Sequence, residues 1–219
     1  MKKMCIVGGM GPLATADCYE RIISKSPATK DQEHIETLII SDTLMPDRTQ
    51  AILSGERDEL LKHFENNFKL AKSWGADFII IPCNTSHYFF DELLKLTDIK
   101  LLNMVELACK KANDKTYVLA TEGTYKSEIY KKCLEKFGKE YLELTDIEKK
   151  ISNDTIYKVK SGIEPIWENF PEFEKLVESK KNVGIILACT ELSLFTFDEE
   201  NVIDALDELV TNAIREAYE

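Results

Sequence analysis

Short apolar runs alternate with amphipathic segments along the chain, a pattern typical of strands that alternate with helices. The run 78–81 is continuously apolar, as expected for a strand buried on both faces. The segment 56–74 has helical spacing and is followed by Gly75, a residue typical of helix ends. Such alternation favours βαβ units and a largely parallel sheet. The pattern predicts strands over 3–7, 36–41, 78–81, 101–104, 115–120, 141–144 and 183–188, and helices over 13–26, 56–74, 88–96, 105–111, 126–137, 148–160, 171–179 and 202–218.

Pairs of similar segments indicate an internal duplication. The run 5–11 (CIVGGMG) opens one half of the chain, and 118–124 (VLATEGT) opens the other. The run 79–86 (IIIPCNTS) lies late in the first half, and 185–192 (IILACTEL) lies late in the second. We therefore predict two similar α/β units, with a boundary near residue 98 and a shared cleft.

Composition limits the classes of protein that fit. The 219 residues include 28 Lys+Arg and 39 Asp+Glu, which gives a net charge of −11. This balance argues against a nucleic-acid partner and against an anionic membrane surface. No run reaches the roughly 18 apolar residues of a membrane helix, and the N-terminal apolar run is too short for a signal peptide. We expect a cytoplasmic protein, in which one local cation could still bind an anionic small substrate.

The six cysteines divide into two groups by their positions. A chain of this size does not need disulfides, and no pair has the CxxC spacing of a redox or zinc motif. Cys83 and Cys189 each follow a buried strand, at the sheet edge where α/β proteins bind ligands and where helix N–H groups stabilise a thiolate. Each alone is equally explained as a core thiol, but their equivalent positions favour two opposed acid/base groups. The others, Cys5, Cys18, Cys109 and Cys133, are expected to be structural.

The remaining candidates carry weaker signals. The run 8–12 (GGMGP) lacks the third glycine of a dinucleotide-binding turn and the GK[ST] of a P-loop, so it is either a tight turn or a backbone approach to a small ligand. Arg48 could bind a carboxylate in a bidentate manner, although most single arginines are solvated. His87 is either a hydrogen-bonding residue at a helix start or a general base. Three scattered histidines give no metal constellation.

Five blocks, taken together and in order, resemble the aspartate/glutamate racemase family, specifically its aspartate racemase branch. They are 8–15 (GGMGPLAT), 46–49 (PDRT), 82–87 (PCNTSH), 120–124 (ATEGT) and 188–192 (ACTEL). The resemblance spans essentially the whole chain. It implies two pseudo-symmetric α/β domains, each a parallel-sheet core flanked by helices, with the active site in the cleft between them.

The same resemblance implies the domain bounds and the chemistry. The first domain would comprise 1–98 plus a returning C-terminal helix at 203–219, and the second would comprise 99–202. The implied activity is racemisation of an acidic amino acid, L- and D-aspartate or glutamate, by a homodimer that uses no cofactor, neither pyridoxal phosphate nor a metal ion. Two alternatives stay open: a related isomerase or decarboxylase that acts through a covalent cysteine, and a non-catalytic amino-acid-binding protein.

Site residues are carried over by position. Cys83 and Cys189 would be the two acid/base thiols. Arg48 and Lys160 would hold the substrate's side-chain carboxylate, and Met10 would line the site through its backbone. The groups implied for the α-carboxylate and amino group are Asn84, Thr85, Thr124 and Thr190.

Overall fold

The structure is a computed structural model that describes residues 1–197 and 201–219. Its N-terminal half contains β1 (Met4–Gly8), α1 (Pro12–Lys25), β2 (Thr37–Ser41), α2 (Arg48–Ser54), α3 (Asp58–Trp74), β3 (Phe78–Ile80), α4 (Phe90–Leu96), β4 (Lys100–Leu101) and α5 (Met104–Lys111). Its C-terminal half contains β5 (Lys115–Ala120), α6 (Glu122–Ser127), α7 (Ile129–Lys136), β6 (Glu140–Tyr141), α8 (Asp146–Lys160), α9 (Pro171–Ser179), β7 (Gly184–Ala188), β8 (Val202–Asp204) and α10 (Ala205–Tyr218).

Each half builds a four-stranded parallel sheet with the same topology. The strand order is β2–β1–β3–β4 in one sheet and β6–β5–β7–β8 in the other. All six neighbouring strand pairs are parallel, so helices supply the crossovers. The predicted α/β class, with two similar units, is therefore confirmed. Because β3 and β7 occupy equivalent places, the segments after them reach equivalent ends of the two sheets.

Alternate residues of the strands face two different cores. In β1, Met4 and Ile6 belong to a central core shared by both halves, whereas Cys5 and Val7 belong to an outer core of the N-terminal half. Helices α5 and α10 pack against each other in the central core; α10 also packs on α1, and α5 packs on α7. This shared layer of helices packs the two halves against each other.

The domain bounds stay a prediction. The boundary between 98 and 99 falls just before β4, which pairs with β3 of the first sheet. Helix α10 contacts α1 of the N-terminal half, the side to which 203–219 was predicted to return, and it contacts α5 as well. Among residues 1–197 and 201–219, no helix is both long enough and apolar enough to cross a membrane.

Several predicted elements differ from the structure. The helix predicted over 126–137 is two helices, because Glu128 has a φ of 56° between them. The helix predicted over 202–218 begins at Ala205, since its first three residues form β8 and the Asp204 side chain then caps α10 by accepting the Leu206 N–H. Helix α2 was not predicted at all; its seven residues are too few to show a helical period.

Candidate active site

The predicted site residues converge on one small cavity between the two halves. The lining residues are Met10, Asp47, Arg48, Thr49, Cys83, Asn84 and Thr85 from the N-terminal half and Thr121, Tyr157, Lys160, Cys189, Thr190 and Glu191 from the C-terminal half. Eight of the nine predicted residues are in this set, and the ninth, Thr124, lies against Thr85. The cavity is small, about 30 Å³, and both halves of the chain contribute to its lining.

Cys83 and Cys189 occupy matching positions in the two halves. Each follows the buried central strand of its sheet, β3 or β7, and each is a free thiol with 6% or 7% of its surface exposed. Each is followed by a short 3-10 turn, Thr85–Phe89 or Leu192–Leu194, and not by the α-helix that the sequence analysis expected.

A carboxylate and an ammonium group stand next to one thiol. The Cys189 thiol donates to Glu191 Oε2 over 2.9 Å, and Lys160 Nζ forms an ion pair with Glu191 Oε1. Burial and the Glu191 carboxylate raise the pKa of Cys189 well above its usual value, against the opposing effect of Lys160. Burial would lower the pKa of Lys160, but the charges of Cys189 and Glu191 outweigh it and raise that pKa. Cys189, Glu191 and Lys160 are thus linked by one hydrogen bond and one ion pair, so the charge of each group affects the protonation of the others.

Three hydroxyl groups join the two halves beside the cysteines. The side-chain oxygens of Thr85, Thr121 and Thr124 lie 3.1 Å from one another. Thr121 also caps α6 by accepting the Thr124 N–H. The close approach depends on Gly123, because a Cβ there would lie 2.7 Å from the Thr49 hydroxyl of α2. Thr124 is thus adjacent to the cavity through Thr85, and its predicted contact with substrate stays a prediction.

Asn84 presents its amide nitrogen without a partner. The Tyr130 hydroxyl donates to Asn84 Oδ1, and this bond fixes which way the amide faces. The Asn84 side chain is buried, and Nδ2 has no hydrogen-bond partner within the described ranges. A buried donor without a hydrogen-bond partner lowers the stability of the folded protein. A ligand acceptor such as a carboxylate would satisfy this donor, so the Asn84 amide is a candidate binding group.

Replacing Tyr130 by phenylalanine should therefore lower both stability and activity. The change leaves Asn84 Oδ1 buried without its donor, which costs about 1–3 kcal/mol of unfolding free energy, and it frees the amide to turn. Urea unfolding and racemisation rates measure the two effects. Tyr218→Phe is the matched control, because it also removes one hydroxyl hydrogen bond, to the Glu33 carbonyl, but at the exposed end of α10. Equal effects of both changes would contradict the role of Tyr130.

Arg48 is the first residue of α2, and its guanidinium lines the cavity. Asp47 caps this helix by accepting the Gln50 N–H over 2.8 Å. Arg48 Nη1 donates to the Pro46 carbonyl over 3.0 Å, which anchors one part of the fork. Its Nε is buried and has no partner in the part of the chain that the structure describes. The anchored guanidinium can therefore still donate to an anion.

The glycine turn packs close to the C-terminal half. Gly9 has a φ of 89°, and a Cβ there would lie 2.5 Å from the Asp42 backbone, so only glycine fits. A Cβ on Gly11 would lie 3.5 Å from Glu191 Oε1. The Met10 sulfur accepts a hydrogen bond from the Ser86 hydroxyl over 3.3 Å. The turn thus approaches the cavity, as expected for the second of its two interpretations.

His87 is a structural residue and not a general base. Its Nδ1–H donates to the Cys83 carbonyl over 2.9 Å, and Nε2 accepts the Met104 N–H over 3.1 Å. Burial lowers its pKa to about 4, so the ring stays neutral. With both nitrogens engaged, the histidine fixes the backbone of Cys83 and has no lone pair for a substrate proton.

The other four cysteines lie in the cores. Burial raises the pKa of Cys5 and of Cys18 to about 12, which keeps both thiols protonated. The Cys133 thiol of α7 donates to the Val105 carbonyl of α5 over 3.9 Å, and the neighbouring Cys133 together with burial raises the pKa of Cys109. None of the four lines the cavity, in agreement with a structural role.

The sequence analysis did not single out five of the lining residues, which are Asp47, Thr49, Thr121, Tyr157 and Glu191, nor Tyr130, which bonds to Asn84. Glu191 belongs to a block that was quoted, and a carboxylate two positions after a candidate thiol is a signal that could have been used. Tyr130 gave no signal, because it meets Asn84 from 46 positions away in sequence.

Known racemases are similar to this chain in sequence and in structure. A family model described as Asp/Glu/hydantoin racemase matches residues 7–213. The broad specificity amino-acid racemase RacX of Bacillus subtilis (strain 168) is 26% identical over 215 residues, which cover 92% of this chain and 91% of RacX. The structure is similar to the aspartate racemase of Picrophilus torridus, with a TM-score of 0.85 and 28% identity over 99% of this chain and 94% of that one.

A second solved structure is also similar to this chain over its whole length. An aspartate racemase homologue from Pyrococcus horikoshii OT3 superimposes with a TM-score of 0.79 and 25% identity, and the match covers 100% of both chains. The family match spans nearly the whole sequence, including both cysteine segments and the glycine turn. The chain belongs to the Asp/Glu/hydantoin racemase family.

Proposed function

We propose that this protein interconverts L- and D-aspartate without a cofactor, with Cys83 and Cys189 as the two acid/base groups. The observation that carries the proposal is the placement of two free thiols, one from each half, at equivalent sheet ends in one cavity. Inversion at Cα requires a base on one face and an acid on the other, and two thiols contributed by different halves could supply both.

The polar groups around the thiols support an amino acid with an acidic side chain. Asn84 Nδ2 and Arg48 Nε are buried donors without partners among residues 1–197 and 201–219. Lys160 reaches the same cavity from the end of α8. A charged donor pairs strongly with a carboxylate, and the substrate has two of them. We assign the side-chain carboxylate to Arg48 and Lys160, and the α-carboxylate to Asn84 and the neighbouring threonines.

A wider substrate range is a second candidate, favoured by two observations. The Bacillus subtilis relative is named as a broad specificity amino-acid racemase. In this structure the Glu191 carboxylate already pairs with Lys160, which leaves Arg48 as the lining cation that has no carboxylate partner in the described chain. Rates on aspartate, glutamate, alanine and lysine separate the two candidates. Similar kcat/KM values for alanine and aspartate would favour the broad range.

The proposal is tested by incubating purified protein with L-aspartate and no pyridoxal phosphate. The circular dichroism signal should decay to zero as the racemic mixture forms. A signal that is stable, or that decays only after pyridoxal phosphate is added, would overturn the proposal. A cysteine adduct detected by intact-protein mass spectrometry would favour the covalent alternative. Binding of aspartate without any decay would favour a binding protein.

A further inference from the structure

The two thiols stand in chemically different surroundings. The duplication aligns Cys83–Asn84–Thr85 with Cys189–Thr190–Glu191, so a neutral hydroxyl stands in one half where a carboxylate stands in the other. Glu191 accepts the Cys189 S–H over 2.9 Å. Thr85 instead bonds to the hydroxyls of Thr121 and Thr124. One residue thus breaks the symmetry of the pair.

We propose that Glu191 holds Cys189 as the thiol and so makes Cys83 the thiolate base of the resting enzyme. The inference deepens the proposed function and rests on it, because it assigns the starting roles of the two groups. Two-base racemisation needs one thiol and one thiolate at the start of each turnover. A pair in equal surroundings would not define which is which.

Electrostatics supports this assignment. Ionising Cys189 would place a second negative charge 2.9 Å from a carboxylate whose side chain is only 7% exposed. Lys160 supplies one positive charge, which would have to offset the negative charges of both Glu191 and an ionised Cys189. Other titratable groups that interact with Cys189 are Tyr125 and Tyr130, and burial raises the pKa of both phenols, so they add no charge. In the described chain, no carboxylate accepts a hydrogen bond from Cys83.

The assignment gives an ordered sequence of proton transfers. The Cys83 thiolate takes the Cα proton, so that a C–H bond breaks, an S–H bond forms and the electron pair stays on the substrate carbanion. The Cys189 thiol then gives its proton to the opposite face of Cα and becomes a thiolate. That thiolate lies beside Lys160, which partly balances its charge, and beside Glu191, which favours its reprotonation from solvent. Cys83 releases to solvent the proton that it took from Cα, and the resting pair is restored. Glu191 is therefore a positioning residue that acts through Cys189.

Alkylation of the intact enzyme tests the assignment without any turnover. Iodoacetamide reacts with thiolates, and the two thiols share one cavity and have nearly equal exposure, so access is matched. Peptide mass spectrometry at pH 7 should show Cys83 modified at least about tenfold faster than Cys189, because the Glu191 carboxylate beside Cys189 disfavours a thiolate there. Equal rates, or faster modification of Cys189, would overturn the assignment.

A second variant isolates the part played by Glu191. Glu191→Gln should raise the modification rate of Cys189 at least about tenfold, because the neighbouring charge is lost and Lys160 is released. Cys83 should keep its rate within about twofold, and racemisation should fall although Cys189 has become more reactive. Glu168→Gln, at an exposed position, is the matched control. An unchanged Cys189 rate would overturn the role of Glu191, and if the variant does not fold, the wild-type order alone decides.

Failure of the assignment can be told apart from failure of the proposed function. Wild-type protein that modifies Cys83 first but never racemises an amino acid would refute the proposed function only. Protein that racemises aspartate but modifies Cys189 first would refute the assignment only.

Discussion

Serine at Cys83 or at Cys189 is expected to lower kcat for aspartate racemisation by about 10²- to 10⁴-fold. A hydroxyl is a much weaker acid than a thiol, so serine can neither carry the resting negative charge nor release its proton at neutral pH. Both residues stand at the ends of central strands in one cavity, so either loss leaves one face of Cα without its group. Because each thiol serves one step of the same turnover, the double variant should be no more than slightly worse than either single one.

The matched control for this pair is Cys133→Ser. Cys133 is also a buried free thiol, but it packs between α5 and α7 and does not line the cavity. The racemisation activity of this control should stay within about twofold of wild type. Its free energy of unfolding should fall by about 1–3 kcal/mol, as expected for one substitution in a core. Substantial racemisation by Cys83→Ser or Cys189→Ser would contradict the two-thiol mechanism.

Removing the Arg48 guanidinium should give the second largest effect. In Arg48→Ala, kcat/KM for aspartate should fall about 10- to 100-fold, since a hydrogen bond between charged groups contributes about 1.5–3 kcal/mol. Arg48→Lys should restore little of the lost kcat/KM. The guanidinium is planar and can bond to the Pro46 carbonyl and to a substrate at the same time, and an ammonium group does not reproduce this geometry. The kinetics of each variant with aspartate and with alanine measure both effects.

Arg57→Ala is the matched control for the arginine. That residue is also close to α2 in sequence, but its side chain is 48% exposed and pairs with Glu92. Its kinetics should match wild type, because an exposed ion pair contributes little. Alanine has no side-chain carboxylate, so Arg48→Ala should leave the rate with alanine unchanged relative to wild type. Equal losses with alanine and aspartate would contradict the assignment of Arg48 to the side-chain carboxylate.

Most of the helices and strands could be predicted from the sequence, because apolar runs, prolines and glycines mark them locally. The apolar runs at 115–120 and 183–188 predict β5 and β7 to within one residue, and Pro171 marks the start of α9. Gly75 ends α3 in the left-handed conformation, as its position suggested. The duplicated segments then placed Cys83 and Cys189 at equivalent strand ends, which is a three-dimensional statement obtained from repetition alone.

Other parts of the site depend on contacts that a linear pattern does not encode. His87 follows a candidate thiol in the sequence, yet its hydrogen-bond partners are the Cys83 carbonyl and the Met104 N–H. Its structural role could therefore be recognised only from the fold. The short strand β8 is three residues long and merges with the helical pattern that follows it. The Lys160–Glu191 pair joins residues 31 positions apart, and it changes the charge that the cavity presents to a substrate.

The central claim, proton transfer on both faces of Cα by two different thiols, is tested most directly in deuterium oxide. L-Aspartate is incubated with wild-type protein, and the reaction is stopped at low conversion. The enantiomers are then separated, and mass spectrometry measures the deuterium content of each. With two thiols, the D-aspartate formed should carry deuterium at Cα, delivered by an exchanged thiol, while the remaining L-aspartate should still carry protium. Equal deuterium in both enantiomers from the earliest times would indicate one base serving both faces, and would contradict the account.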